Sequence, residues 1–447
     1  MDICSKCALF AALFTITALQ PSSAQNQSSQ PDPHAGHQMP PGMNMPGMNQ
    51  GGATNEPGTY LMTLASGTSM NPRSWPMPAL MPRLGSGNFM FMAQGFLMDT
   101  QQSGPRGRDK LYSPNWGMIA AQHRLGKGSF MLQSMFSLEP ATVTHRSYPL
   151  LFQTGETAYG IPLADAQHPH DFFMGLGVTY AHLVGENTML QFYYAPVGDP
   201  ALGPVAFPHR ASAAELPQAT LAHHLQDSTH IAANVATIAI KRKWLRLEAS
   251  GFHGTEPNEN RWNLDWGPMN SYSARLSVFP ARNWMAQVSA GRITNPERQA
   301  AGDVVRATAS LHYTRPLSSS YAWSTSLIWG RNHDTSTGHD LNSYLIETVY
   351  PVTKTDFLSG RAELVDKNEL FESDSDQHQG QHGTGSTFRV QAYTAGYTRD
   401  VGILRHVQSG LGVNVMAYAI PPEIKPFYGD HPWGINIFLR LRLKPGE

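Results

Sequence analysis

From Asn88 onward the chain consists of segments of roughly ten residues, in which apolar and polar residues alternate as they do in the strands of a barrel. In the last segment, WGINIFLRLRL, Ile435 and Ile437 share one face, and Asn436 and Arg440 share the other. Alternation over a whole segment is typical of a β-strand with one apolar and one polar face. SFMLQSMFSLE and KWLRLEASGFHG have the same pattern, so we expect strands throughout this region.

The connectors between these segments alternate in length. GKGS (126–129) and VGEN (184–187) are short, whereas residues 140–171 and 197–228 form long connectors. An antiparallel outer-membrane barrel has short periplasmic turns and long outer loops. The sequence therefore predicts an all-β fold, a transmembrane antiparallel β-barrel of about 16 strands at residues 88–447, with both chain ends on the short-turn side. The strands are predicted to begin near residues 88, 115, 129, 172, 187, 229, 243, 270, 283, 304, 320, 341, 355, 387, 406 and 433.

Composition agrees with a barrel in contact with outer-membrane lipid. Charged residues make up 15% of the chain, against roughly 25% in an ordinary soluble domain. A net charge of −1 gives no basic surface for nucleic acid, so we expect no nucleic-acid partner. Six tryptophans near predicted strand ends are expected to form interfacial girdles: Trp116, Trp244, Trp284, Trp323, Trp329 and Trp433.

The N-terminus has the layout of a secretory signal peptide, which we assign to residues 1–24. Lys6 precedes the apolar run Cys7–Leu19, which is too short to span a bilayer, and small residues precede Gln25. Both cysteines fall within this segment, so the mature chain would have no disulfide and no thiolate metal site. Residues 25–87 are predicted to form a disordered Met/His/Pro-rich periplasmic leader and a transition to the barrel. Export implies a location in the bacterial outer membrane.

The stretch HAGHQMPPGMNMPGMN in the leader is a candidate copper site. Thioether sulfur suits Cu(I), and imidazole accepts Cu(I) and Cu(II). Eleven of the 20 methionines lie between residues 39 and 98, although methionine is uncommon in disordered linkers. The alternative is a polar linker without a metal. The candidate ligands are His34, His37, Met39, Met43, Met45 and Met48.

Histidines and carboxylates are also close together in the long loops. Imidazole and carboxylate at short spacing can bind zinc, nickel or Cu(II). The same side chains could instead fasten the loops to the barrel wall through His–Asp hydrogen bonds. His253 with Glu256 begins a further loop, and His209 lies in the third. The candidate metal ligands are His168, His170, Asp171, His223, His224, Asp227 and His230.

Two alternatives are open for the lumen, which sixteen strands leave wide enough for water. It is either a diffusion pore or a space plugged by the loops at 140–171 and 197–228. Fourteen polar side chains are predicted to face it: Gln133, Glu139, Gln191, Arg246, Glu248, Arg275, Gln287, Arg292, Arg306, Arg361, Glu363, Arg389, Arg440 and Arg442.

The sequence contains none of the common catalytic motifs. GxSxG, HExxH and the P-loop are absent, as is GxGxxG in a βαβ context. We therefore predict that the protein is not an enzyme.

An exported chain with a Met/His-rich leader before a barrel resembles the outer-membrane copper resistance proteins of the CopB/PcoB type. That resemblance implies copper binding by the six leader residues, and periplasmic copper-handling proteins as partners. DAQHPHDFFM, GDPALGPVAFPHR and HHLQDSTHI in the barrel resemble an uncharacterised group of bacterial barrel proteins instead. We predict a role in copper binding, passage or resistance. The alternatives are a general or substrate-selective porin for small solutes with an incidental leader, or a non-conducting surface protein.

Overall fold

The computed structural model describes residues 56–297, 302–371, 386–402 and 407–443. Sixteen long antiparallel strands form a closed barrel, which confirms the predicted fold class. The barrel strands are β1 (Gly87–Gln102), β2 (Asn115–Leu125), β3 (Gly128–Phe136), β4 (Phe173–Val184), β5 (Thr188–Gly198), β6 (Ala232–Arg242), β7 (Leu245–His253), β8 (Ser271–Ala281), β9 (Trp284–Ile293), β10 (Val304–Pro316), β11 (Ala322–Asp334), β12 (Asp340–Pro351), β13 (Asp356–Lys367), β14 (Phe388–Asp400), β15 (Val407–Ala419) and β16 (Trp433–Leu443).

Every barrel strand pairs with its neighbours along the chain, and β1 also pairs with β16. Met92 of β1 lies opposite Met118 of β2, and Leu97 of β1 lies opposite Leu439 of β16. This second pairing closes the sheet on itself, so the barrel has no free edge. Each predicted strand start lies within three residues of the observed one, the largest difference being at β6.

The connectors alternate in length as predicted. Residues 126–127 and 185–187 form short turns, whereas residues 137–172 and 199–231 form long loops. The long loops carry their own short elements: a strand at Lys110–Tyr112, helix α2 (Glu139–Thr142), a hairpin of Tyr148–Ala158 and Ile161–Gln167, helix α3 (His223–Gln226) and helix α4 (Lys425–Tyr428). No helix in the described ranges is long and apolar enough to cross a bilayer.

The outer face of the barrel is apolar and the inner face is polar. Leu247 of β7 is 54% exposed, whereas its neighbour Arg246 is 1% exposed and points inward. Aromatic rings form a row on the outside near the short turns, with ring centroids 4.6 Å apart for Trp284 and Tyr313 and 5.4 Å apart for Tyr313 and Trp323. An apolar outer band flanked by aromatic rings is the surface that a barrel presents to lipid.

Trp116 does not belong to that girdle. Its ring centroid lies 4.2 Å from that of His209, a loop residue that is 3% exposed. Trp116 shares its face of β2 with the buried residues Met118 and Ala120, so it points into the barrel. The sequence correctly indicated that Trp116 lies near a strand end, but it did not indicate that the side chain faces the inside of the barrel.

Twelve of the fourteen predicted lumen residues are buried inside the barrel. Glu139 is one of these, although it lies on α2 and not on a strand. Arg292 and Arg389 are the exceptions: their side chains are about half exposed and pair with Asp303 and Asp366. Each arginine lies on its strand between two buried neighbours, so its side chain points to the outer face and the prediction that it faces the lumen is wrong.

The loop at residues 199–231 folds into the lumen. Arg210 Nε lies 2.8 Å from Glu347 Oε1 of β12, and Arg361 of β13 holds the other oxygen of Glu347 at 3.0 Å. Deeper in the same loop, Glu215 pairs with Arg440 of β16. All these side chains are almost fully buried. Of the two alternatives for the lumen, the structure therefore has the loops folded inside.

A second segment inside the lumen comes from the N-terminal side of β1. Helix α1 (Pro57–Leu61) carries Tyr60, whose hydroxyl donates to Gln191 Oε1 at 2.9 Å. Arg246 Nη1 donates to the Thr68 carbonyl at 2.6 Å. A short strand, Arg83–Leu84, then pairs with β1. Residues 56–87 were predicted to belong to a disordered leader and transition. Residues 57–80 are instead mostly buried or half-buried inside the barrel, where the Tyr60 hydroxyl and the Thr68 carbonyl meet inward-facing partners, whereas residues 81–86 are exposed.

Candidate metal centre

Three histidines from two long loops meet in the mouth of the barrel on the long-loop side. His168 follows the loop hairpin, and His223 and His224 form the first turn of α3. One ring nitrogen from each lies within 4.8 Å of the other two. All three were candidate ligands from the sequence, which gave no sign that the second and third long loops would bring them together.

Neighbouring acceptors fix the ring orientation of the histidines. His223 Nδ1 donates to Asp227 Oδ1 at 2.7 Å, and His230 Nδ1 donates to the Asp227 carbonyl at 2.8 Å. His168 Nδ1 lies 3.1 Å from the Pro169 carbonyl. Metal-bound histidines commonly donate one ring N–H to a carboxylate or carbonyl in this way, which leaves Nε2 for the ion.

Burial keeps these imidazoles neutral. It lowers the pKa of His168 and His223 below the ordinary value and that of His224 to about 4. Burial, with the nearby His223, also holds the pKa of His230 well below its usual range. The Nε2 atoms of His224 and His230 are buried and have no hydrogen-bond partner among the described residues. Neutral rings with free Nε2 lone pairs are the form that a metal ion binds.

Two glutamates lie against the histidines. Glu156 Oε1 is 2.9 Å from His168 Nε2, and Glu256 Oε1 is 3.3 Å from His224 Nδ1. A neutral His168 has a single N–H, so it cannot donate to both the Pro169 carbonyl and Glu156. An ion held between Nε2 and the carboxylate would satisfy both groups. The three imidazoles are a ligand set that fits zinc or Cu(II), and Glu156 lies next to one of them, His168.

The two glutamates differ in ionisation. Burial opposes the charge on Glu156, but Arg261 and His168 hold its pKa below the ordinary value. Burial and the nearby Glu156 raise the pKa of Glu256 to about 7. Glu156 is therefore the carboxylate that stays ionised at neutral pH. The sequence did not indicate Glu156 as a ligand, because the hairpin around it lacks the close spacing of histidines and carboxylates that is typical of metal sites.

An acidic cavity of about 270 Å³ adjoins the histidines. Arg261 lies in its lining together with five glutamates: Glu156, Glu256, Glu259, Glu297 and Glu369.

Gly155 makes the room for the His224 ring. Its φ is +112°, and a Cβ at this position would lie 2.6 Å from His224 Cε1. The hairpin of one loop can therefore lie flat against the imidazole of the next only because residue 155 has no side chain.

The other predicted loop ligands have structural partners. His170 Nδ1 lies 2.9 Å from Glu139 Oε1, and Asp171 lies 3.6 Å from Arg261. Burial opposes protonation of His170, but Glu139 raises its pKa. These contacts, and the one between Asp227 and His223, join loop residues to one another and not to the barrel wall. Metal binding by His170, Asp171 and Asp227 stays a prediction. His253 bonds to the Pro268 carbonyl at 3.1 Å.

The six leader candidates lie outside the described residues: His34, His37, Met39, Met43, Met45 and Met48. Copper binding there stays a prediction.

No protein-family model matches the chain, and no curated protein matches it in sequence. The predicted relationship to copper resistance proteins of the CopB/PcoB type therefore has no support from these comparisons.

Solved structures with a similar fold are outer-membrane channels. An anion-selective porin from Comamonas acidovorans has 10% identity and a TM-score of 0.47, over 80% of this chain and 100% of the porin. OmpF from Salmonella typhi, solved with daunomycin, has 8% identity and a TM-score of 0.48, over 81% of this chain and 100% of OmpF. OpdK from Pseudomonas aeruginosa, solved with vanillate, has 10% identity and a TM-score of 0.37, over 79% and 98% of the two chains. These similarities assign no solute to this chain.

Proposed function

We propose that the chain is an outer-membrane barrel that binds a transition-metal ion at His168, His223 and His224, with copper as its cargo. The observation that carries the proposal is the buried set of three imidazoles whose ring nitrogens lie within 4.8 Å of one another. Imidazole and carboxylate ligands suit Zn²⁺, Ni²⁺ and Cu²⁺, and Cu²⁺ binds most tightly among these at a given site.

The surrounding residues suit capture of a divalent cation. Among the five glutamates that line the approach, burial opposes the charge on Glu156 and Glu259, but neighbouring cations and hydrogen bonds lower the pKa of both. These two ionised carboxylates would raise the local concentration of cations. The imidazoles are already neutral, so binding does not need to displace their protons. Glu156 supplies a negative charge that partly compensates the ion. The leader would bind copper as Cu(I) through its thioethers, which gives the chain a second type of copper ligand.

The test is a titration of the full chain in detergent with Cu²⁺ and Zn²⁺. A variant with His168→Ala, His223→Ala and His224→Ala should lose one tightly bound ion per chain. A matched control replaces three histidines outside the centre: His123, His253 and His333. It should keep the ion. Equal stoichiometry and affinity in the wild type and both variants would remove the metal centre from the proposal.

The leader is tested separately. Replacing Met39, Met43, Met45 and Met48 by leucine should lower the number of Cu(I) ions bound by the full chain and leave Zn²⁺ at the histidine centre unchanged. An unchanged Cu(I) stoichiometry would show that the leader is a linker.

A second candidate function is the passage of small solutes. It is favoured by the polar inner wall of the closed sixteen-stranded barrel, which is the wall of a water-filled channel in larger barrels. Planar-bilayer recordings of the refolded protein would show stable conductance steps if the lumen conducts. A persistent absence of current, in both the wild type and a variant with the lumen loop released, would exclude this function.

A further inference from the structure

Methionine dominates one of the buried clusters inside the barrel. Ten of the nineteen buried residues in this cluster are methionines. The other three buried clusters in the described residues contain one methionine or none. A core that needed only apolar volume would draw mainly on Leu, Ile, Val and Phe, which have better defined rotamers. The concentration of thioethers in one place calls for a separate explanation.

Three of these methionines form a row across neighbouring strands, which we call the thioether row. Met92 of β1 lies opposite Met118 of β2, and Met118 lies opposite Met135 of β3. All three point into the barrel and are at most 4% exposed. Side chains directly opposite on antiparallel strands have Cβ atoms about 5 Å apart. Their flexible side chains can therefore bring three sulfur atoms around one point.

The next strand leaves space beside the row. Met135 lies opposite Gly175 of β4, and a Cβ added at Gly175 would lie 3.9 Å from Met135 Cε. The adjacent Met174 is 1% exposed and belongs to the same buried cluster, to which it contributes a fourth thioether.

The sulfur atoms are accessible to polar partners inside the barrel. Gln133 Nε2 donates to Met118 Sδ at 3.1 Å. A lone pair of the Met118 sulfur therefore points at the amide N–H of Gln133 and not at an apolar side chain. A cation placed near Met118 would take the role that the amide N–H has in this contact.

We infer that the thioether row of Met92, Met118 and Met135 binds a soft monovalent d¹⁰ ion, Cu⁺ or Ag⁺. Thioether sulfur is a soft, neutral ligand that selects such ions over Zn²⁺ or Ca²⁺. Because the ligands are uncharged, the buried site holds only the single positive charge of the ion. A monovalent ion in this site therefore costs less desolvation free energy than a divalent ion would.

The row shares its buried cluster with the N-terminal segment, and this cluster borders a buried histidine of the lumen loop. Tyr60 and Leu61 of α1 pack in the same cluster. On the other side, Trp116 packs against the cluster and its ring contacts His209. Both ring nitrogens of His209 are buried and have no hydrogen-bond partner among the described residues. Sulfur and nitrogen ligands thus follow one another inside the lumen.

This inference goes beyond the proposed function and does not depend on the histidine centre. The test is to load the full chain in detergent with Ag⁺, remove loose ions by gel filtration, and count bound silver by mass spectrometry. In the test variant, Met92, Met118 and Met135 are replaced by leucine, which has nearly the same volume. We expect this variant to hold one Ag⁺ fewer per chain than the wild type.

The matched control replaces Met98 and Met416, two buried methionines from other clusters. It should bind as much Ag⁺ as the wild type. Silver bound by the leader contributes equally to the counts of all three proteins, so it does not affect the difference between them. Parallel samples of the same proteins loaded with Zn²⁺ report on the histidine centre, so loss of Ag⁺ with unchanged Zn²⁺ supports the thioether row whatever the fate of the histidine proposal.

If the triple variant does not fold, Met118→Leu removes only the middle member of the row. It should raise the dissociation constant for Ag⁺ by at least about tenfold, as the loss of one metal-site partner does elsewhere. Equal silver content and equal dissociation constants in the wild type, the Met118 variant and the control would overturn the inference. The row would then be a packing feature only.

Discussion

The lumen loop should be released by removing one charge, that of Glu347. Its carboxylate holds Arg210 of the loop at 2.8 Å and Arg361 of the wall at 3.0 Å, and it accepts from Ser212 Oγ at 2.9 Å. Glu347 and Arg210 side chains are 0% exposed. Glu347→Gln keeps the shape of the side chain but leaves two buried guanidinium groups without that negative charge.

Breaking one partner of a buried ion pair costs about 3–5 kcal/mol, because the remaining charge is left uncompensated. At about 1.4 kcal/mol for each factor of ten, the population of released loop should rise between about 100-fold and about 4,000-fold. The barrel wall should be less affected, since its strand-to-strand hydrogen bonds are unchanged. The effect should therefore be concentrated in residues 199–231.

Amide hydrogen exchange followed by peptide mass spectrometry measures this directly. Peptides from 199–231 should exchange faster in the variant, while peptides from β8 to β11 should not change. The matched control is Asp340→Asn, which removes the carboxylate of a partly exposed pair with Arg331 and should leave exchange in the loop unaltered. Equal protection of the loop in the wild type and the Glu347 variant would refute the idea that this ion pair holds the loop.

Two further predictions concern the inner segments. Burial raises the pKa of Asp199, which accepts from Ser66 Oγ, to about 7. Its folded pKa exceeds the unfolded value, so its contribution is full below about pH 4 and is lost as the pH rises to about 7, on the order of 4 kcal/mol in total. The protection factors of the amides in residues 57–71, which correct exchange for its base-catalysed intrinsic rate, should thus be lower at pH 8 than at pH 5. Asp199→Asn should flatten this difference; an unchanged pH dependence of the protection factors in that variant would contradict the assignment. Gly155→Ala should weaken Zn²⁺ binding by about 10- to 100-fold by displacing the His224 ring. Gly160→Ala, also at positive φ but with open space around it, should have much less effect; equal losses would implicate backbone strain instead.

The barrel was predictable because its signals are local and repeat along the chain. The alternation of apolar and polar residues and the lengths of the loops identified all sixteen strands, because each strand has one outer and one inner face. The same reasoning failed where both faces are apolar: in NFMFMAQ, residues 88–94, alternation cannot tell which side Met90 and Met92 take. The structure places both inside, in the same buried cluster as Tyr60 and Leu61 of α1.

The loop histidines were recognised by residue type, but their meeting depended on contacts between separate loops. His168 and His224 are far apart in the chain, and only the hairpin of one loop lying on the other brings them together. Glu156 and Gly155 gave no signal because one glutamate or one glycine in a polar loop is ordinary. The inward position of residues 57–80 was likewise not visible in the sequence, because it depends on distant wall residues such as Arg246.

The seam between β1 and β16 has a consequence for the order of assembly. It joins strands more than 300 residues apart, so forming it carries the largest loop-closure entropy of any pairing in the barrel. The segment before β1 already lies inside, held by Gln191 and Arg246. If it docks while the sheet is still an open curved wall, no threading is needed, and the interior is formed before the cylinder is sealed. The N-terminal segment would then act as the surface around which the wall curls.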